Sequence, residues 1–295
     1  FFTRIVFRWK ELERISGGRC GQSLDKIIGL VARRSGTHGT KGIVNTVTTS
    51  AEDSKFRTGV AQSLETFARK QRDSLAEIDA DAAELADAAL EFADGGKLLR
   101  PLFCHAGWLI AGGEPNDPRL LQTASAFEWL QASALVHDDL MDESDTRRGR
   151  PSVHREHEQR HRQLKLVGDP AQHGARVAIL LGDLLLSWAD ESFQQAVPDQ
   201  RTSHLWARCK NEVISGQYLD VLAQTQDRLT VAAALKVVRF KTAKYTIERP
   251  LHVGASLAGA SDELLASLTD VALPLGEAFQ LRDDLLGVYG DPATT

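Results

Sequence analysis

Cysteine is scarce in this chain: three residues in 295, Cys20, Cys104 and Cys209, widely spaced, odd in number and without a CxxC pair. That excludes a disulfide framework and a thiolate zinc site, and it points to a reducing, cytoplasmic setting. Long apolar runs are also missing. The most apolar stretch, Val177 to Ala189, is interrupted by Asp183 and falls short of the roughly 20 residues a membrane span requires, so no transmembrane segment is expected. Strand-forming clusters of Val, Thr and Tyr are few, and no βαβ alternation, internal repeat or low-complexity tract occurs. Ala and Leu are prominent instead, which favours helix.

Charge is unevenly spread. Residues 1–50 hold nine Lys/Arg against three acids, a net +6, so the total of −5 leaves −11 for residues 51–295. An acidic body is a poor surface for nucleic acid and repels an anionic substrate unless bound cations reverse the sign locally. Residues 1–50 show no helical or alternating period and are expected to be a leader, disordered or foreign to the folded protein, without a catalytic role. From Ser54 apolar residues recur at three- and four-residue intervals from Val60 to Ala89, predicting one long helix or two collinear ones that end at Gly95-Gly96. Further helices are expected at 100–111, 120–141, 175–196, 201–223, 230–258 and 262–288, with Pro250 and Pro274 bending the last two. The fold class is therefore all-α, a large antiparallel helical bundle with its site in the core between facing helices.

The stretch LVHDDLMDESDTRRGRP, residues 135–151, carries the densest chemistry. On a helix Asp138 and Asp142 share one face with Asp139 beside them, and three acids ending an apolar run call for a cation. Arg147 and Arg148 follow, with planar donor forks suited to phosphate oxygens. Carboxylates, divalent cation and arginine together describe a diphosphate site. A second pair, Asp283-Asp284, lies in FQLRDDLLGVYGD on another apolar helix. Two such pairs on neighbouring helices are suited to sharing Mg²⁺, which takes carboxylate, water and phosphate oxygens.

Residues 54–295 resemble the trans-isoprenyl diphosphate synthases, the farnesyl and geranylgeranyl diphosphate synthase family, and among them the bacterial geranylgeranyl enzymes. The resemblance rests on GGKLLRP at 95–101, DDLMD and RRG within 138–149, GD at 182–183, GQYLD at 216–220, KTAKY at 241–245 and FQLRDD at 279–284, in the family's order. It implies an isoprenoid synthase bundle with a central cavity over residues 51–295, without the family's C-terminal segment. It also implies a transferase that condenses isopentenyl diphosphate with dimethylallyl, geranyl or farnesyl diphosphate. The cofactor implied is Mg²⁺, three ions per site with substrate bound and replaceable by Mn²⁺, and the assembly implied is a homodimer. By resemblance Asp138, Asp139, Asp142, Asp283 and Asp284 hold metal. Lys97, Arg100, Gln131 and Arg148 hold isopentenyl diphosphate, Arg147 and Lys241 hold the allylic diphosphate, and Thr242 and Gln280 stand beside the reacting carbons. The catalytic set implied is Asp138, Asp142, Lys241, Asp283 and Gln280.

The pattern has departures. Leu98 replaces a basic residue, Gln131 a histidine and Gly287 a third acid, leaving Asp283, Asp284 and the more distant Asp291. Leu98, Gly287 and the missing C-terminal segment motivate an alternative, a non-catalytic or regulatory subunit of a heteromeric prenyl diphosphate synthase. A class I terpene cyclase is a weaker alternative, because a cyclase has no second diphosphate to occupy Lys97/Arg100 and Arg147/Arg148. Product length follows from helix geometry, since one turn rises about 5.4 Å, roughly one isoprene unit. Ser133 and Ala134 are small, one turn before Asp138, while Trp129 and Leu130 close the next turn, an arrangement expected for a C20 product. His154, His157 and His161 recur near helical spacing in a polar stretch and are expected to form a solvated face. His137 is expected to orient the aspartates. Asp183 is expected to be deep, forming with Gln217 and Asp220 a polar support around Lys241.

Overall fold

The computed structural model describes residues 51–93, 96–115, 117–228 and 230–289. The expected leader, Gly95 and Asp291 lie outside them. The described chain is almost wholly helical: α1 (Ala51–Ala76), α2 (Ala80–Ala93), α3 (Leu99–Ile110), α4 (Pro118–Met141), α5 (Val153–Gln163), α6 (Pro170–Gln195), α7 (Gln200–Gln224), α8 (Val231–Val237), a π-helix (Val238–Glu248), α9 (Arg249–Leu257) and α10 (Asp262–Tyr289). Two short strands, β1 (Thr146–Arg147) and β2 (Arg150–Pro151), form an antiparallel hairpin. Asp-Pro pairs start two of the helices. Asp117 accepts from Arg119 N–H and Asp169 from Ala171 and Gln172 N–H, each followed by a proline whose missing donor costs nothing in the first turn.

The chain forms two compact units. Over the described residues the first comprises 51–102 and Pro115–Pro198, the second Phe103–Glu114 and 199–289. In the first, α4 packs chiefly on α6, with α1, α2 and α5 around them. α4 is buried on nearly all sides, including polar Thr123, Ser125 and Glu128, as befits a central helix. The second unit has its apolar core where Ile247, Leu251, Ala255, Leu265, Leu268 and Ala272 meet, with Phe103 and Ala106 of α3 against it.

Three helical expectations need correction. The first helical stretch is two helices, as one of the two expected forms had it, but they are not collinear. The chain turns at residues 77–79, where the Asp79 side chain accepts from Asp81 N–H at 2.9 Å and caps α2, and α2 packs back on α1 with Arg72 Nε 3.0 Å from Asp87 Oδ1. Ile78, within the break, is 75% exposed. The stretch 230–258 is three segments, the middle one an eleven-residue π-helix. Pro250 falls in the first turn of α9, directly after the wide turns end, and α10 runs through Pro274. Finally, the three-histidine stretch is helix α5, and its face is not solvated. His154, Glu158 and His161 are buried, and the His161 ring lies 5.0 Å from that of His173 on α6.

Candidate functional site

In the first unit the acidic motif occupies the C-terminal end of α4. Asp138 is half-buried, Asp142 exposed, and Asp139 only 1% exposed. Asp142 caps the helix, its N–H donating to the Asp138 carbonyl at 2.8 Å. Asp139 is engaged by Arg147, whose Nε donates to both carboxylate oxygens at 3.0 and 3.1 Å and whose Nη2 donates to Oδ1 as well. That hydrogen bond, with the charges of Asp138 and Asp142, holds the guanidinium even more firmly protonated than usual. Carboxylates at a helix C-terminus oppose the macrodipole, so the arrangement is not one that helix stability selects. Asp138 and Asp142 present hard oxygen donors one turn apart, a set that fits a divalent cation such as Mg²⁺. Among the described residues no group of three or more His, Cys, Asp or Glu is itself arranged as a metal cage.

The hairpin explains why the two arginines are adjacent. Arg148 and Gly149 form its two-residue turn with φ of +52° and +76°, the geometry of a type I′ turn, which glycine adopts freely and arginine only under strain. Arg147 turns to Asp139. The Arg148 guanidinium goes elsewhere: a Cβ built on Gly96 would stand 3.1 Å from Glu128 Oε2 and 3.7 Å from Arg148 Nη2. Arg100, on the first turn of α3, and Arg57 of α1 also act electrostatically on Glu128, which is buried. Arg57 Nη1 donates to the Lys97 carbonyl at 2.6 Å. The next residue, Leu98, is left-handed (φ +51°) and strained for a branched side chain. Gln131, one turn beyond Glu128, has a buried Oε1 without a hydrogen-bond partner. Arg57 and Glu128 escaped the sequence reading; a glutamate inside an otherwise apolar and small-residue helix was the available signal.

Upstream on α4, Trp129 is fully buried in a cluster with Phe67 and Trp188, ring centroids 5.8 and 5.4 Å away. Leu130 and Ser133 are 3% exposed, and Ser133 Oγ donates to the Gly182 carbonyl at 2.8 Å. Ala134 is half-buried. Asp183 departs from expectation. Its side chain is 65% exposed and lies 3.6 Å from His137 Nε2, so it is not a deep support residue, and His137 reaches α6, with Nε2 3.3 Å from the Ile179 carbonyl.

In the second unit Lys241 donates to Asp220 Oδ2 at 2.8 Å. Gln280 donates to Asp284 Oδ1 at 2.7 Å. Burial pushes the Asp284 carboxyl up; neighbouring Asp283 and Asp220 add to this, against Gln280 and Lys241. Asp283 is exposed and Thr242 half-buried. The structure thus groups Asp220, Lys241, Gln280, Asp283 and Asp284. Backbone contact makes this possible. The π-helix is clasped between Gly216 of α7 and Gly276 of α10, where an added Cβ would stand 2.5 Å from Lys241 N and 2.6 Å from Ala243 Cα. Asp220 stands one turn beyond the first glycine, and Gln280 and Asp284 one and two turns beyond the second. Behind them Glu212 receives Arg249 Nε at 2.6 Å and Arg208 Nε at 3.0 Å, with Lys244 Nζ 3.4 Å away. Burial works to raise its carboxyl, but these cations outweigh it and hold it below the usual range. His252, hydrogen-bonded to Thr269 at 3.0 Å, is pushed down to about 4 by burial, with Arg249 assisting and Glu248 opposing.

Comparison with known proteins gives concordant results. A family profile described as polyprenyl synthetase matches residues 82–295. A geranylfarnesyl diphosphate synthase of Aeropyrum pernix is 33% identical over 211 residues, 68% of this chain and 60% of that protein. A geranylgeranyl diphosphate synthase of Mycobacterium tuberculosis is 33% identical over 214 residues, 71% of this chain and 55% of its own. The chain therefore spans less than two thirds of the curated relatives it matches. Among solved structures, the geranylgeranyl pyrophosphate synthase of Corynebacterium glutamicum complexed with isoprenyl diphosphate and magnesium is 44% identical. It has a TM-score of 0.78 and covers 82% of this chain and 70% of that one.

Proposed function

The chain belongs to the polyprenyl synthetase family, and from that premise we propose that it is a Mg²⁺-dependent, chain-elongating prenyltransferase. It condenses isopentenyl diphosphate with an allylic diphosphate, and geranylgeranyl diphosphate is its product. One observation carries the reading. The hairpin sends its adjacent arginines to different carboxylates, Arg147 to Asp139 and Arg148 toward Glu128, so the first unit offers two separate places for an anion. Two diphosphates are what a condensation needs and what a cyclase lacks.

Asp138 and Asp142 would hold Mg²⁺, which when bound supplies a Lewis acid for diphosphate oxygens. Magnesium in the Corynebacterium glutamicum structure supports the choice of ion. Asp139 fixes Arg147, so that its remaining donors meet the charge that develops as the allylic C–O bond breaks and the diphosphate leaves with the electron pair. Lys241, aimed by Asp220, is a second cation for developing phosphate charge. The alkene of isopentenyl diphosphate then attacks the allylic carbon, and the proton lost from the adduct goes to the released diphosphate. Gln280 and Thr242 contribute polar groups beside this chemistry, and Asp283 and Asp284 further carboxylates. Lys97, Arg100, Gln131 and Arg148 hold the second diphosphate.

For product length, Ala134 is the open position, and the buried cluster of Trp129, Phe67 and Trp188 is the floor one turn deeper, with Leu130 and Ser133 in its walls. The enzyme works as a cytoplasmic homodimer. The exposed Ile179 and Leu180 on α6 support an apolar interface, and no helix among the described residues is long and apolar enough to cross a membrane. The test is incubation of the protein with radiolabelled isopentenyl diphosphate, farnesyl diphosphate and Mg²⁺. A labelled C20 diphosphate is expected; no elongation rejects the reading, and hydrocarbon released from allylic diphosphate alone would favour a cyclase.

A further inference from the structure

Glu128 is an unusual residue to find at the centre of a packed helix. It is 6% exposed, and a carboxylate there is costly unless its surroundings repay the lost hydration. Those surroundings are three guanidiniums from three separate elements: Arg57 of α1, Arg100 of α3 and Arg148 at the hairpin tip. Burial pushes the carboxyl up while all three arginines pull it down. Gly96 lies beside the carboxylate and the hairpin arginine: a Cβ there would stand 3.1 Å from Glu128 Oε2, a tight contact, and 3.7 Å from Arg148 Nη2, an ordinary one.

We propose that Glu128 is a positioning residue for the isopentenyl diphosphate site, gathering Arg57, Arg100 and Arg148 around one fixed carboxylate before the substrate arrives. The inference rests on the function proposed above and extends it. Without Glu128, three mutually repelling guanidiniums, each on a flexible side chain, would spread apart. With it, each guanidinium gains an attraction that opposes its repulsion from the other two, and the arginines lose their conformational freedom during folding instead of during binding. One carboxylate against three guanidiniums still leaves two positive charges for a diphosphate. Arg57 extends the control to the loop, because its Nη1 holds the Lys97 carbonyl at 2.6 Å. A carboxylate beside an anion site weakens binding by direct repulsion, so the sign of the effect separates the two roles.

The experiment is calorimetric titration of isopentenyl diphosphate into the full chain, as wild type and as Glu128→Gln, alongside steady-state kinetics. The positioning role predicts a Kd raised about tenfold in Glu128→Gln. KM for isopentenyl diphosphate should rise in parallel, with kcat and KM for the allylic substrate within about twofold of wild type. A folded Glu128→Gln that binds as tightly as wild type, or more tightly, overturns the proposal. Should that variant fail to fold, Arg57→Gln takes its place, with a Kd raised about threefold expected and an unchanged Kd overturning it. Wild-type binding without elongation would reject the transferase reading while leaving the Kd comparison decisive for Glu128; no wild-type binding rejects both.

Discussion

The two acidic clusters of this protein solve opposite problems. At the end of α4, Asp138 and Asp142 are half-buried and exposed, set against the helix dipole, and only Asp139 is sealed, against Arg147. In the second unit Asp283 is exposed, but the other two acids are turned inward: Asp220 is 5% exposed and paired with Lys241, and Asp284 is 6% exposed and hydrogen-bonded to Gln280. In the function proposed above, the first cluster receives a divalent cation at its accessible end. The second is largely compensated by its own side chains, and its task is to hold them still.

That contrast can be broken by substitution. Asp138→Ala removes a donor from the open cluster and should lower elongation about 10³-fold while shifting the melting temperature little, as checked by radiolabel incorporation and thermal unfolding. Lys241→Met strikes the compensated cluster and should do two things at once. Turnover falls about 10²-fold, and stability falls by about 3 kcal/mol, because Asp220 is left buried without its cation; kinetics and urea unfolding together check both. A pure rate effect would show that the pair is not structural. His252 reports on the inward-facing charges through pH. Its folded value, about 4, lies below the ordinary 6.5, so the unfolded chain binds a proton that the folded one refuses. Stability present above pH 6.5 is therefore lost as pH falls toward 4, by up to about 3 kcal/mol. His252→Gln should flatten that part of the pH dependence of unfolding. The mildest change is Ala134→Phe, expected to shorten the proposed C20 product to C15 with kcat altered only about threefold, read by chromatography of the dephosphorylated products. It is a cleaner test than Ser133→Phe, since the Ser133 hydroxyl is committed to the Gly182 carbonyl.

Much of this was legible in the sequence, and the misses share a cause. Helices α3, α4, α6, α7 and α10 follow from apolar period and from Asp or Pro at their starts. Helix α5 does not, because its buried face is His154, Glu158 and His161, which hydropathy counts as solvent-seeking. The gap between α1 and α2 is hidden by an alanine-rich register that continues across Asp79. Asp183 looked deep because it interrupts an apolar run, yet Ile179 and Leu180 beside it are exposed as well. The aspartates and arginines of the motifs were found as pairs and triplets, whereas Glu128 and Arg57 are single charges whose meaning exists only once four elements are brought together.

The π-helix has a consequence for how this protein tolerates change in length. A ladder of i→i+5 bonds stores one more residue per turn than an α ladder, so Val238–Glu248 behaves like a gear between α8 and α9. Loss of a residue there need not open a loop, because the coil can tighten. It would instead rotate everything on one side relative to the other and swing Lys241 away from Asp220. Here chain length is read as angle, and a one-residue deletion that would be harmless in a surface turn becomes a change of aim.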